Sequence, residues 1–322
     1  MSADTPHAAA NTMQVFDRRL VRWRRDRAAA RFGDADFLVR EAAARLAERL
    51  ADIRRNFPLA LDLGCHTGVV AGEIAAAAPG KVGHLFAADL SPAMAARART
   101  GTATPVLAAD EEALPFAAAS LDLVLSAFSL HWVNDLPGAL LQIRQALKPD
   151  GLFLAVLPGG ATLNELRHAL LAAESDTTGG AAPRVSPFVG LADAAGLLQR
   201  AGFALPVADT ETVTVTYDNP LKLFDDLRAM GEASALIERS RQPLRRGTLL
   251  AAAERYAAQH AGADGRMPAT FELIFLAGWA PAASQPKPLR PGSAAARLAD
   301  ALDAEELSTG GTAPTGSGES GL

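Results

Sequence analysis

The chain has 322 residues, 49% of them apolar and 21% charged, which is enough to bury a large core in one soluble domain. Its formal net charge of −5 gives no support for a nucleic-acid partner. The single cysteine, Cys65, excludes an internal disulfide framework and a zinc site built from cysteines, and it suits a reducing compartment. No apolar run reaches the ~20 residues that a transmembrane helix needs.

The N-terminal part of the chain predicts a helical cap. Residues 16–31 predict a basic amphipathic helix with Phe16, Leu20 and Trp23 on its apolar face. We interpret the arginines of this segment mainly as a solvated face; contact with an acidic partner or a membrane surface is the alternative. Leucines and alanines on one side of residues 37–52 predict a second helix.

Short apolar runs then alternate with helical patterns, which is typical of an α/β fold with a mostly parallel sheet covered by helices on both faces. The predicted strands are 59–63, 83–88, 105–108, 121–126 and 152–157, and the predicted helices are 69–77, 92–99, 136–147 and 163–174.

The pattern loosens after residue 157, and helices are predicted between the last two strands. The predicted elements are a turn-rich loop at 175–188, a helix at 190–201, a strand at 211–217, helices within 220–260, a strand at 269–279 and, as an open alternative, a tail helix near 293–305.

The predicted organisation is a leader at 1–14, a domain at 15–280 (cap 15–54, core 55–160, substrate side 161–280) and a disordered tail at 281–322, rich in Pro, Gly, Ser and Ala. The leader lacks the form of a secretory signal and the arginines of a transit peptide.

Several strands end in polar or glycine-rich segments, and ligands of open parallel sheets bind at these carboxyl ends. The first strand ends in Asp62 and leads into a loop with Gly64 and Gly68, where small residues let a ligand approach the backbone. Asp89 ends the second strand about 20 residues later, the spacing at which an acid accepts both hydroxyls of an adenosine ribose. Asp110, after the third strand, is a candidate acceptor for an adenine amino group.

The glycine loop departs from the GxGxxG pattern because His66 stands where a third glycine is usual. This departure makes NAD less favoured than another adenosyl ligand. Histidine tolerates a positive φ better than most side chains, so we interpret the loop as a working variant. A damaged loop, or a chemical role for His66, remains the alternative.

Five segments, in order, resemble the motifs of class I S-adenosylmethionine-dependent methyltransferases over about residues 55–160: LDLGCHTG, ADLSPAM, ADEEALPF, LDLVLSAFSLHW and LKPDG. The resemblance implies the Rossmann-like class I methyltransferase fold and S-adenosylmethionine as cofactor. It also implies that Asp89 binds the ribose, that Asp110 lies by the adenine and that the glycine loop lies against the methionine part. The predicted cofactor-binding residues are Asp62, Gly64, His66, Gly68, Asp89, Leu90, Asp110, Glu111 and Ser126, and no metal site is predicted.

A longer resemblance, which includes RNFPLALDLGC, SLHWVNDLP, TLNELR, LLQRAGF, the MGE at 230–232 and PATFELIFLAGW, is to the complex I assembly factor five family and its bacterial relatives. It implies hydroxylation of an arginine on a complex I subunit, in the bacterial cytoplasm or, in a eukaryote, the mitochondrial matrix. A true methyltransferase, such as the malonyl-acyl-carrier-protein O-methyltransferase of biotin synthesis, is one alternative. A non-enzymatic assembly chaperone is another, and a peripheral membrane contact stays open.

The segment at 129–135 places an aromatic ring, a histidine and a carboxylate after the fourth strand. His131, Trp132 and Asp135 are the predicted catalytic residues, because His131 and Asp135 can orient a guanidinium and Trp132 can stack on it. In the alternative interpretation, Trp132 is core, His131 is a satisfied polar residue and Asp135 caps the next helix. Convergence of His66, His131 and Asp135 on an iron ion is a further, less favoured alternative.

Overall fold

The computed structural model describes residues 14–240 and 242–286 together with Asp300 and Asp303. One compact unit extends to Ala283, and the residues from Ser284 onward fall into a second unit. The predicted leader lies outside the described residues except for its last residue, and so does most of the predicted tail helix. No helix in the described part of the chain is long and apolar enough to cross a membrane.

A seven-stranded sheet in the order β3-β2-β1-β4-β5-β7-β6 forms the centre of the first unit, with β1 to β5 parallel and β7 antiparallel to both of its neighbours. This is the predicted fold class. The strands are β1 Phe57–Leu63, β2 Val82–Asp89, β3 Val106–Ala108, β4 Leu121–Ala127, β5 Leu147–Pro158, β6 Ala204–Tyr217 and β7 Met267–Trp279.

Nine helices surround the sheet in the described part of the chain, and α8 and α9 form the predicted insertion before the last strand. The helices are α1 Arg18–Ala28, α2 Phe37–Asp52, α3 Val69–Ala77, α4 Pro92–Gly101, α5 Leu136–Ala146, α6 Asn164–Thr178, α7 Leu191–Arg200, α8 Pro220–Ala229 and α9 Arg246–His260, with short 3-10 turns at Phe32–Asp34 and Leu130–Trp132.

The predicted apolar face of α1 is wrong at Trp23, whereas Phe16 is buried and Leu20 packs against the same apolar cluster. Trp23, expected on the buried face, is 51% exposed, and the guanidinium of Arg27 lies over its ring. The buried residues of this helix are Val21, Arg25 and Ala28. The apolar pattern missed Arg25 because this arginine is buried among carboxylates at the edge of the sheet.

Alternating residues of β4 supply two separate apolar layers, one on each face of the sheet. Leu123 and Leu125 pack in the layer that contains α2, α3, α6 and α9. Val124 packs in the opposite layer, with Leu140 of α5. The sheet is therefore covered on both faces, and its functional edge is the one where the parallel strands end.

The two leucines at 140 and 141 allow a matched test of this packing. Leu140 has no exposed surface, whereas Leu141 is 39% exposed on the same helix. We expect Leu140→Ala to lower the free energy of unfolding by about 2–5 kcal/mol, because it removes apolar contacts and leaves a cavity. Leu141→Ala should change it by less than about 0.5 kcal/mol. Denaturant unfolding of both variants measures this, and equal losses would contradict the assigned face of α5.

Candidate functional site

Two polar side chains at the strand ends are buried without a partner. Asp62, at the end of β1, has no exposed surface, and neither carboxylate oxygen has a hydrogen-bond partner in the described structure. Burial, with a further effect from the charge of Asp89, raises the pKa of Asp62 to about 8. The hydroxyl of Ser126, in β4, is also buried and unpaired. Buried polar groups are normally hydrogen-bonded, so these atoms fit a ligand that brings donors.

The loop between β1 and α3 needs both of its glycines. Gly64 has φ +77°, and a Cβ at this position would lie 2.1 Å from the Cβ and Oγ of Ser129. Gly68 has φ +90°, and a Cβ there would lie 2.7 Å from Thr102 Cγ2. The main chain therefore approaches its neighbours in a way that only glycine allows.

His66 adopts the left-handed conformation predicted for it, with φ 49°. Its backbone N–H donates to Asp89 Oδ2 at 2.9 Å, and its ring stacks on Phe32 with centroids 5.1 Å apart. The ring Nε2 lies 3.2 Å from the carbonyl oxygen of Ala127, which requires Nε2 to carry the proton. Burial, followed by the charge of Arg25, lowers the pKa of His66 and keeps the ring neutral. This packing supports the interpretation of an intact variant loop.

Asp89 is fully buried at the end of β2, where the resemblance places a ribose-binding acid. One oxygen accepts from His66 N–H and the other from Ser91 N–H at 2.8 Å. Burial raises the pKa of Asp89, although the positive charge of Arg25, with Nη1 3.7 Å from Oδ1, opposes this effect. Each carboxylate oxygen can accept more than one hydrogen bond, so Asp89 keeps capacity for ribose hydroxyls. The next residue, Leu90, is half-buried against the apolar cluster of Phe16.

Glu111 is the centre of a buried ion-pair cluster. It has no exposed surface, pairs with Arg18, and lies 3.3 Å from Arg25 Nη1. The hydroxyl of Ser129 donates to the same carboxylate. Burial alone would raise the pKa of Glu111, but the two arginines and this hydrogen bond lower it to about 2. Asp110 is more exposed and lies 2.5 Å from Arg18 Nη2.

Sequence reasoning missed Arg18, Arg25 and Ser129 as members of this site. It treated the arginines of α1 as a solvated face, whereas Arg25 has no exposed surface. A usable signal was the number of acids predicted at the strand ends, because buried carboxylates require positive partners. The arginine-rich helix just before the sheet was the nearest source of such partners.

A second polar cluster joins two of the predicted catalytic residues to one that was not predicted. His131 Nε2 lies 2.8 Å from Glu232 Oε2, and Trp132 Nε1–H donates to the same oxygen at 3.0 Å. Trp132 is almost fully buried and packs edge-on against Phe16, with centroids 5.2 Å apart. Glu232 follows α8, about 100 residues later in the chain. Only the longer resemblance included its segment, and it gave Glu232 no role.

The structure does not bring Asp135 into this cluster, which corrects its prediction as an acceptor-binding residue. Asp135 is exposed, and its carboxylate caps α5 by accepting from Gly138 N–H at 2.9 Å, as the alternative interpretation expected. The iron alternative also fails on geometry. Within the described ranges, no three or more His, Cys, Asp or Glu side chains are grouped to hold a metal ion.

The unpaired carboxyl of Asp62 predicts an unusual dependence of stability on pH. Between its ordinary pKa of 3.8 and its folded value of about 8, the folded chain keeps a proton that the unfolded chain has lost. Asp62 therefore lowers the free energy of unfolding as pH rises through this window. We expect Asp62→Asn to be relatively more stable than the parent at pH 8 than at pH 5, in denaturant unfolding. A constant difference between the two proteins would contradict the unpaired state of Asp62.

Comparison with known proteins agrees with this architecture. A family model described as a methyltransferase domain matches residues 61–155. The fold is similar to that of the YcgJ protein from Bacillus subtilis, with a TM-score of 0.51 and 15% identity over 74% of this chain and 98% of the other. A Bacillus halodurans protein assigned as a methyltransferase gives a TM-score of 0.53 and 17% identity, over 75% of this chain and 100% of the other. These structures support the class I methyltransferase fold.

Sequence relatives are much closer. The mitochondrial arginine-hydroxylase NDUFAF5 of Danio rerio is 42% identical over 89% of each chain, and the human protein is 43% identical over 88% of this chain and 82% of its own. A malonyl-[acyl-carrier protein] O-methyltransferase of Laribacter hongkongensis is 34% identical over 86% of this chain and 94% of its own. The chain belongs to the family of methyltransferase-domain proteins that includes the arginine-hydroxylase NDUFAF5.

Proposed function

We propose that the protein binds S-adenosylmethionine at the carboxyl ends of β1, β2 and β4. The observation that carries this is the buried carboxyl group of Asp62, which has no partner and would ionise on pairing with the ammonium group of the methionine part. Asp89 would accept from the ribose, Asp110 would lie by the adenine, and the loop from Gly64 to Gly68 would lie against the methionine part. When bound, this cofactor supplies a sulfonium centre with an activated methyl group.

Cofactor binding at this edge involves α1. Asp62, Asp89 and Glu111 have no exposed surface, and the guanidinium of Arg25 lies close to the last two. An adenosyl group held by Asp89 would therefore lie next to Arg25 of α1.

We infer that the protein acts in respiratory complex I assembly by hydroxylating an arginine of a complex I subunit. The main support is the 42% identity to arginine-hydroxylase NDUFAF5, which extends over 89% of both chains. His131 and Trp132 lie together beside a carboxylate, a set of side chains suited to a guanidinium. The mitochondrial relatives favour the matrix as the compartment in a eukaryote, and the cytoplasm is the equivalent in a bacterium.

Methyl transfer to an acyl-carrier thioester is the second candidate. The lower but extensive identity to a malonyl-[acyl-carrier protein] O-methyltransferase favours it, and so does the surface of α1, where Arg19, Arg22 and Arg27 are exposed. An acidic carrier protein would be attracted to such a surface. The two reactions differ in what the substrate gains. A hydroxylase converts a C–H bond to C–OH, which takes one oxygen atom from dioxygen and needs two electrons from an external reductant to turn the other into water. A methyltransferase adds one methylene unit and leaves S-adenosylhomocysteine.

Intact-mass analysis distinguishes these functions. Complex I subunits from a strain that lacks the protein are compared with those from a strain that carries it, and the modified residue is located by fragmentation. We expect one subunit to gain a single oxygen atom on an arginine, and Asp89→Ala to reduce this gain at least tenfold through weaker cofactor binding. In parallel, a malonyl-acyl-carrier protein is incubated with the protein and S-adenosylmethionine.

A methylene gain on the carrier, with unchanged complex I subunits, would contradict hydroxylation and support the second candidate. Unchanged masses for every substrate, together with a failure of complex I to assemble in the deletion strain, would support a non-enzymatic chaperone. The three outcomes are therefore distinguishable by mass and by assembly.

A further inference from the structure

A cavity of about 270 Å³ lies between α6 and α8, and Arg24 of α1 also lines it. Trp132, Phe188 and Phe224 contribute aromatic surface to it, and Leu166 adds aliphatic surface. Glu232 also lines the cavity, which places one carboxylate among apolar walls. None of the predicted cofactor-binding residues lines it, so the cavity is separate from the predicted adenosyl site.

Glu232 is held in place by one oxygen and unpaired at the other. Oε2 accepts from Trp132 Nε1–H and contacts His131 Nε2, whereas Oε1 is buried without any partner in the described structure. The side chain is only 10% exposed. Burial raises the pKa of Glu232, but His131 and then Arg25 outweigh this effect and lower it, so the carboxylate stays ionised at neutral pH. A buried carboxylate oxygen without a partner fits a ligand that brings N–H donors, as a guanidinium does.

The arginines that line the cavity do not neutralise Glu232. Arg184 pairs with Glu174 at 2.5 Å and Arg228 with Asp225 at 3.2 Å. The two that remain have other contacts in the described chain: Arg239 lies 3.9 Å from a carboxylate of Asp17, and Arg24 donates to the carbonyl oxygens of Ala233 and Ser234.

A guanidinium matches this arrangement better than an ammonium group does. It is planar, carries five N–H donors and stacks on aromatic faces, so it can bond to a fixed carboxylate and contact a ring at the same time. A lysine ammonium is a compact, strongly hydrated charge that gains less from an aromatic wall. Glu232 and Trp132 are already joined by a hydrogen bond, so carboxylate and ring are presented as one unit.

We propose that Glu232 binds the guanidinium of the substrate arginine, in the cavity walled by Trp132, Phe188 and Phe224. This inference rests on the proposed function, because it names the part of the site that selects an arginine-bearing substrate. Glu232 thus supplies the carboxylate that sequence reasoning assigned to Asp135. Its charge also acts on Arg25, which links the acceptor cavity electrostatically to the acid cluster at the strand ends.

The test measures binding of two short peptides that differ only in one side chain. Acetyl-glycyl-arginyl-glycinamide and the same peptide with citrulline are titrated into the full-length protein in the presence of S-adenosylmethionine. Citrulline has nearly the shape of arginine but no positive charge. We expect the parent protein to prefer the arginine peptide at least tenfold and Glu232→Gln to lose this preference. Glu238→Gln, an exposed acid six positions later, is the control and should keep it.

Thermal unfolding of Glu232→Gln checks that the isosteric change leaves the fold intact. Equal binding of both peptides by the parent protein, or a preference that survives in a folded Glu232→Gln, would overturn the proposal. Tight binding of malonyl-pantetheine that is lost in Arg24→Met but not in Glu232→Gln would also overturn it, because the cavity would then be built for an anion.

Together with the mass experiment described above, the peptide titration tests arginine binding by Glu232 independently of the proposed hydroxylation. If the parent protein adds oxygen but its preference for the arginine peptide does not depend on Glu232, hydroxylation is supported and the arginine pocket is rejected. If the preference for the arginine peptide depends on Glu232 but no complex I subunit gains oxygen, the arginine pocket is supported and hydroxylation is rejected.

Discussion

The burial of acids at the carboxyl edge of the sheet is the constraint on which the rest of the structure depends. Asp62, Asp89 and Glu111 have no exposed surface, and Arg25, which is also fully buried, faces two of them. Buried carboxylates are costly unless they are paired or protonated. Both solutions occur here, since Glu111 is paired with arginines while burial favours the protonated form of Asp62. The site therefore retains an acid that a cationic ligand can still use.

This charge balance explains how the helical cap is placed. Helix α1 docks with a charged side chain inward because Arg25 reaches Glu111, while Phe32, just after the helix, stacks on His66 of the glycine loop. The neighbouring Arg24 lines the cavity of Glu232. One short segment thus contacts both the predicted cofactor loop and the predicted acceptor cavity.

Where the sequence carried a local signal, the prediction of the fold was close. Helices α2 and α3 have the predicted bounds, because the apolar periodicity of α2 is strong and Gly68 with φ +90° sets the start of α3. The positive φ of His66 was also predicted, since it follows from the spacing of the glycines. Strand β6 starts earlier than predicted, at Ala204, because its pairing with β7 extends a segment that is not strongly patterned by itself.

The candidate site was only partly predictable, because only some of its residues carry a local signal in the sequence. The acids at the strand ends follow from chain order in a parallel sheet. The burial of Arg25 and the position of Glu232 depend on tertiary contacts with residues 86 and 101 positions away. Asp135 was assigned to the site by its place in a motif, yet its local role as a helix cap prevailed. Local patterns identified candidate groups, and charge pairing across the fold decided which of them meet.

A double-mutant cycle on Arg25 and Glu111 tests the central claim most directly. Breaking either side of a buried ion pair should cost about 3–5 kcal/mol in the free energy of unfolding, because the remaining charge is buried alone. Arg25→Met and Glu111→Gln should therefore each destabilise the protein, and the double variant should be more stable than their sum by about 2–3 kcal/mol. Additive effects of the two substitutions would contradict the account, because helix α1 would then not be held by the buried acids.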